Sequence, residues 1–411
     1  MRDQIMDLRL EKLVFGGDAL GRLPDGQAVF VPFALPGELV RVRLLEERRG
    51  RWTAELLEVL ESSPDRVPPT CRHYGLCGGC QYQHLSYSAQ VNAKKGILCE
   101  QLRRLGKISA SPLPSTVLSP SPWRYRNHAQ FHLTPQGELA YVGRDGHLMP
   151  VRECPLLSEE LNEIWPRLVF ESGLSIERIG IRVGSDGQAM LVLESDESPE
   201  LVVEIEGLSV VHLLGEEAIV LAGEEAVTMQ VHHRLFRVSA GAFFQVNLPI
   251  AASMVSYLIE KLPVSPDETL MDIYCGVGLF SAFFAGKVRR LIGVEASSIA
   301  CEDFALNLDE FDNVELYEGT AEQILPWIEA RPQTVIVDPP RAGLGKRVLE
   351  ALLALGPERI AYVSCEPSTL ARDAARFLAG GYTLSEICLF DQFPQTAHIE
   401  SISLFHRERR S

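Results

Sequence analysis

The chain has 411 residues, 46% of them hydrophobic, with 39 Lys+Arg against 55 Asp+Glu and a formal net charge of −16. That length allows two or three domains, and the apolar content fills more than one core, which excludes a disordered or low-complexity chain. No run approaches the roughly 20 apolar residues of a membrane span, and the opening MRDQIMDLRLEK lacks the apolar core of a secretory signal, so a cytoplasmic location is expected. The acidic average argues against a polyanionic partner but hides an asymmetry. Residues 1–110 carry 16 Lys+Arg and 13 Asp+Glu, the remainder 23 and 42, and eleven acidic residues fall between Arg182 and Arg234 with no Lys or Arg among them. An RNA partner is therefore expected on another face.

In chain order, residues 7–60 read as short β segments punctuated by Gly and Pro, with alternation in LVRVRLL, and predict a compact OB-like barrel. Arg41, Arg43, Arg48, Arg49 and Arg51 give it a basic edge, which suits RNA contact and an ordinary solvated face equally. Beyond the link SSPDRVPPT come Cys71, Cys77 and Cys80, spaced C-x5-C-x2-C. Nine cysteines without a secretion signal point to ligation or catalysis rather than a disulfide framework. Clustered soft thiolates suit zinc or an iron–sulfur centre, and the spacing does not choose between them. A helix is expected over residues 88–106, then a Ser/Pro-rich connector and a strand-rich region from 123 to 230. From about residue 268, apolar strands at 270–274, 291–294, 314–317, 334–337 and 360–364 alternate with helical stretches. That pattern predicts a doubly wound α/β domain, closed by strands near 382–390 and 399–405.

Three strand ends of this domain carry unusual residues. DIYCGVGLF places Gly276 and Gly278 in a turn between strand and helix, and Glu295 ends the next strand, where an acidic side chain can bind ribose hydroxyls. A structural glycine turn, a dinucleotide site and an S-adenosylmethionine site all remain open on those residues. Asp338 in TVIVDPPRAGL lies at the same carboxyl edge, where ligands of this architecture bind; an ordinary Asp-Pro turn accounts for it only in isolation. Cys365, between AYVS and the helical EPSTLARD, is placed as a nucleophile at that edge, where a helix N-terminus lowers a thiol pKa. Near the chain end, His398 or Glu400 is a candidate general base. Thiolate, methyl donor and base together suit methylation of uracil at carbon 5: thiolate addition at carbon 6 activates carbon 5, and a base later removes its proton.

The sequence resembles the RNA uracil-5-methyltransferase family, in particular members acting on 23S ribosomal RNA that carry a TRAM domain and an iron–sulfur cluster. The resemblance spans nearly the whole chain through LPGE, CRHYGLCGGCQYQH, WRYRNHAQF, FFQVN, DIYCGVGLF, DPPRAGL, VSCEPSTLARD and HIESISLF. It implies that Cys365 is the nucleophile and Glu400 the proton acceptor. It further implies that Gln245, Tyr274, Glu295 and Asp338 bind S-adenosylmethionine, and that Cys71, Cys77, Cys80 and Cys154 hold a [4Fe-4S] cluster. Glu366 and Leu279 stand where members commonly have Asn, and a carboxylate beside the thiol is expected to raise its pKa. Cys99, Cys275, Cys301 and Cys388 read as packing residues. The expected organisation is a TRAM barrel over 1–62, a cluster-bearing central part over 63–235, and a methyltransferase domain over 236–411 in a monomer. Structured RNA, 23S or transfer RNA, is the expected partner, with a target uridine flipped to Cys365 and WRYRNHAQF either stacking on RNA or serving as core. Two rivals are an adenine-amino methyltransferase, which has no use for Cys365, and an RNA-binding protein that has lost activity.

Overall fold

The computed structural model describes residues 2–109, 111–197, 207–215 and 217–407; Glu200, Glu204, Glu206 and Glu216 of the acidic run lie outside them. The chain forms two compact units, one of Met1–Glu100, Tyr141–Met149 and Phe393–His398, the other of Gln101–Ala140, Pro150–Gln392 and Ile399–Ser411. No helix among the described residues is long and apolar enough to cross a membrane.

The first unit contains the expected closed barrel, of strands Ile5–Leu13, Ala19–Arg22, Ala28–Val31, Leu39–Arg48 and Arg51–Glu61. Alternation in LVRVRLL sends Val40, Val42 and Leu44 into a fully buried core and turns the intervening arginines outward. Those arginines do not make an open basic edge. Arg41 pairs with Asp7 at 2.9 Å and Glu58 at 3.2 Å, Arg43 with Glu55 at 3.1 Å, and Arg48 with Glu46 at 2.9 Å. Of the five, Arg49 and Arg51 alone carry no ion pair among the described residues. Glu38 of LPGE is fully buried. It accepts backbone N–H groups of Leu35 and Ser63 at 2.8 and 3.1 Å and two bonds from Arg66 at 2.6 and 2.8 Å. The motif therefore closes the barrel rather than presenting a carboxylate.

The second unit holds two sheets and a hairpin. In the first sheet the strands Glu217–Ala222, Leu208–Leu214, Ala189–Ser195, Arg178–Val183 and His128–Leu133 lie side by side. The hairpin is Ala226–Val231 with Arg234–Ser239. The second sheet positions the site. Its strands are β1 (Thr269–Ile273), β2 (Arg290–Glu295), β3 (Val314–Glu318), β4 (Thr334–Val337), β5 (Arg359–Ser364), β6 (Tyr382–Phe390) and β7 (Glu400–Arg407). They run in the order β3-β2-β1-β4-β5-β7-β6, with Ser115–Val117 adding a short parallel strand beside β6. The first five are parallel, and β7 is antiparallel to both β5 and β6. Every residue of β1 and β4 is buried, which is why both read as largely apolar runs: helices cover both faces of a parallel sheet. Strand order reverses between β1 and β4, the switch point at which such sheets open a crevice at their carboxyl edge.

Candidate active site at the carboxyl edge of the sheet

Register brings five of the expected site residues to one edge of the sheet. Ile273 pairs with Val294 on one side and Val337 on the other, Val337 with Tyr362, and Ser364 with Ser401. Just past these pairs, Tyr274, Glu295 and Asp338 end β1, β2 and β4 level with Val363, and Cys365 and Glu400 lie two residues farther along the edge, at the end of β5 and the start of β7. Because β7 is antiparallel, its first residue meets the end of β5. The position after Ser364 and the position before Ser401 oppose each other, so Cys365 faces Glu400 with backbones about 5 Å apart. His398 is not on this strand; it lies in the Phe393–His398 segment of the first unit.

The glycine turn and Glu295 are built as one piece. Tyr274 and Gly276 both have left-handed backbones, φ 64° and 54°, a conformation that costs a bulky side chain and persists where surrounding structure imposes it. Glu295 accepts the Gly276 N–H on Oε2 at 2.9 Å, and the Ala296 and Ser297 N–H groups on Oε1 at 2.8 and 2.9 Å. Gly278, at φ 92°, has no room for a Cβ, which would lie 2.5 Å from Leu308. Leu279 is buried in the core, so it serves packing where a polar contact is usual in the resemblance. Gln245 is buried and its Oε1 accepts from Gln392 Nε2 at 2.9 Å. Its backbone is held by Asn127 of WRYRNHAQF, which donates to the Gln245 carbonyl at 3.4 Å and to that of Val246 at 3.1 Å. Trp123 and Tyr125 of that motif are half-buried, and Phe243, two residues before Gln245, is 71% exposed.

The thiol environment differs from the expectation. Burial, then Glu400 and Asp338, push Cys365 up to about 12, with Arg341 opposing them. The helix N-terminus is thus outweighed by desolvation and two carboxylates. The Glu366 Oε1 accepts from Ser368 Oγ at 2.6 Å. Burial, then Asp338, also raise the Glu400 carboxyl well above its ordinary range, and burial raises Asp338.

Sequence reasoning missed Asp272, the first residue of DIYCGVGLF. It is fully buried, accepts from Ser281 Oγ at 2.7 Å, and its other oxygen has no partner. Burial is the main cause of its rise to about 7, with Asp338 and Glu295 adding to it. A carboxylate inside an otherwise apolar strand was the available signal. Arg182 was also missed: it is buried and donates to the carbonyls of Ser239 and Ala242 at 3.1 and 2.7 Å, steadying the approach to Gln245.

Cys71, Cys77 and Cys80 belong to the first unit and Cys154 to the second. The Cys71 N–H donates to Gln83 Oε1 at 3.0 Å, Cys77 bridges Gly143, and Asn162 brackets the Cys154 backbone with bonds of 3.0 and 3.1 Å. Among the described residues no group of three or more His, Cys, Asp or Glu side chains is arranged to hold a metal ion. Cys275, Cys301 and Cys388 are buried and Cys99 is half-buried, as packing residues should be.

The strand order, the glycine turn and the acidic strand ends define a doubly wound α/β domain with a nucleotide-type cofactor crevice at its switch point. Residues 217–408 match the family model of tRNA (Uracil-5-)-methyltransferase, and residues 1–57 that of the TRAM domain. An uncharacterised RNA methyltransferase of Aquifex aeolicus is 35% identical, covering 98% of this chain and 99% of its own. Another from Halalkalibacterium halodurans is 32% identical, covering 98% and 97%. The crystal structure of Pyrococcus abyssi tRNA (uracil-54, C5)-methyltransferase in complex with S-adenosyl-L-homocysteine shares the fold. Its TM-score is 0.75 at 24% identity, over 97% of this chain and 100% of that one. The chain belongs to the RNA uracil-5-methyltransferase family with an N-terminal TRAM domain and is an S-adenosylmethionine-dependent RNA (uracil-5-)-methyltransferase.

Proposed function

We propose that the enzyme methylates carbon 5 of one uridine in 23S ribosomal RNA through a covalent adduct between Cys365 and carbon 6 of the base. The observation that carries the reading is the register of β5 and β7, which sets Cys365 opposite Glu400 at the edge where Asp338 and Glu295 also end. In this reading Gln245, Tyr274, Glu295 and Asp338 hold S-adenosylmethionine. The cofactor supplies the methyl group and, as a sulfonium, a positive charge against the acidic strand ends. Cys365 gives its proton to solvent water, the thiolate adds to carbon 6, and the π electrons move through carbon 5 toward oxygen 4 as an enolate. Carbon 5 then takes the methyl group. Glu400 accepts the carbon-5 proton, and the returning electron pair expels the thiolate. A buried carboxylate with raised proton affinity is suited to that last role.

The three parts divide the work: residues 1–62 and 63–235 grip structured RNA, and residues 236–411 carry the chemistry. Cys71, Cys77, Cys80 and Cys154 are the ligands of a [4Fe-4S] cluster in this account, on the strength of the resemblance and the C-x5-C-x2-C spacing. No step of the reaction runs through it. Iron and acid-labile sulfide analysis of anaerobically purified protein tests it: zinc alone would replace the assignment, and absence of both metals would remove it.

Substrate choice is tested by tritium release from RNA carrying [5-³H]uridine. Release from ribosomal RNA with none from transfer RNA is expected. The reverse would keep the chemistry and reassign the substrate to transfer RNA, the substrate type of the Pyrococcus abyssi enzyme.

A further inference from the structure

The segment DPPRAGL carries two charged groups that bear on the thiol, Asp338 and Arg341, but few side chains able to fix the loop itself. The helix that follows the nucleophile, Pro367–Ala379, does so. Thr369 Oγ1 donates to the Arg341 carbonyl at 3.2 Å, and Arg372 Nη2 to the carbonyls of Ala342 and Leu344 at 3.0 and 3.1 Å. Arg372 Nε also donates to Asp373 Oδ1 at 2.8 Å. Asp373 is fully buried, and its Oδ2 accepts the Leu344 N–H at 2.8 Å and the Tyr362 hydroxyl at 3.0 Å. Tyr362 lies on β5, three residues before Cys365. One buried carboxylate thus joins the strand of the thiol, the loop of its charged neighbours and the helix between them. A charge withdrawn from water is retained only when it is fully partnered, and here the partners come from three different elements. Gly343 completes the latch: at φ 71°, a Cβ would sit 2.7 Å from Asp373 Oδ2 and 2.8 Å from Arg372 Nη2.

We propose that Asp373 and Arg372 are positioning residues for methyl transfer, latching the Pro-Pro loop so that Arg341 and Asp338 keep a fixed place beside Cys365. The proposal rests on the reading of Cys365 as nucleophile and gives the STLARD half of the motif a task in that reaction. Around the thiol, Arg341 favours the thiolate while Glu400 and Asp338 oppose it, so a loosened loop alters both the rate and its pH dependence. The test measures the rate of protein–RNA adduct formation on 5-fluorouridine RNA with saturating S-adenosylmethionine, from pH 6 to 9, together with thermal melting and RNA affinity. For Arg372→Gln in the full chain, a rate about tenfold lower is expected, with the pH profile displaced from that of wild type and RNA affinity within about twofold. Arg372→Lys keeps the charge without the planar fork and should be slowed similarly. Thr369→Val removes the hydroxyl that lies between the Arg341 and Glu366 carbonyls and should slow the reaction about threefold with the same displacement. Wild-type rates and pH profiles per folded molecule in these variants would show that the latch serves stability alone and overturn the proposal. If the wild-type enzyme forms no Cys365-dependent adduct, the nucleophile reading falls and takes this proposal with it. The wild-type lane tells the two failures apart.

Discussion

Glu400 raises the affinity of Cys365 for its own proton, so removing that charge should separate reactivity from turnover. In Glu400→Gln, alkylation of Cys365 by iodoacetamide, followed by mass spectrometry of its peptide, should be faster than in wild type at pH 8. Methylation should fall at least about a hundredfold because the proton acceptor is gone. Slower alkylation in the variant would mean that Glu400 does not act on the thiol. Asp272 makes a stability prediction. Its folded pKa, about 7, lies above the unfolded value of 3.8. The folded state therefore binds the extra proton between them, and the contribution is full below about pH 4 and lost as pH rises through 7. Denaturant unfolding should show wild type losing on the order of a few kcal/mol relative to Asp272→Asn across that window, with no further divergence above it. Equal pH dependence in the two proteins would contradict the buried, protonated carboxyl. At this scale Cys365, Glu295 and Asp338 were legible because each breaks an apolar strand at its end, where a chain pattern marks the edge. The carboxylates that raise the thiol were not legible as such, since Asp338 and Glu400 come from β4 and β7, which only the folded register brings near.

Among elements, the glycine positions are the sharpest test of how the loops are built. Gly343→Ala forces a side chain into a left-handed position already in contact with Asp373, Arg372 and Thr369. A loss of about 1–3 kcal/mol in urea unfolding is expected; a neutral result would mean that the loop can move aside without cost. The strands were readable almost residue for residue: the apolar runs expected at 291–294 and 314–317 are Arg290–Glu295 and Val314–Glu318 in the structure. Short apolar runs flanked by Gly, Asp and Pro leave little ambiguity. The order in which β7 inserts between β5 and β6 was not readable, because nothing in a linear apolar pattern tells an antiparallel return from another parallel strand. That insertion is what sets Glu400 opposite Cys365.

For the whole molecule, the acidic balance has to be reconciled with an RNA substrate. Three of the five barrel arginines are tied to carboxylates, so RNA affinity should depend on salt less steeply than five free cations would require. Arg49→Ala with Arg51→Ala should weaken binding more than Arg41→Ala with Arg43→Ala in a filter-binding titration. The opposite ranking would show that RNA breaks the ion pairs and uses the whole edge. The barrel was legible from its alternation, but the pairing that mutes its charge was not, because Asp7, Glu55 and Glu58 come from neighbouring strands. The central claim is that one thiol attacks the target base. Incubating the enzyme with S-adenosylmethionine and 5-fluorouridine-substituted ribosomal or transfer RNA tests it most directly, since fluorine at carbon 5 cannot leave as a proton and the adduct should persist on a denaturing gel. We predict a shifted band whose crosslinked peptide contains Cys365 and which disappears in Cys365→Ala; a band that survives the substitution, or none with either RNA, would contradict the account.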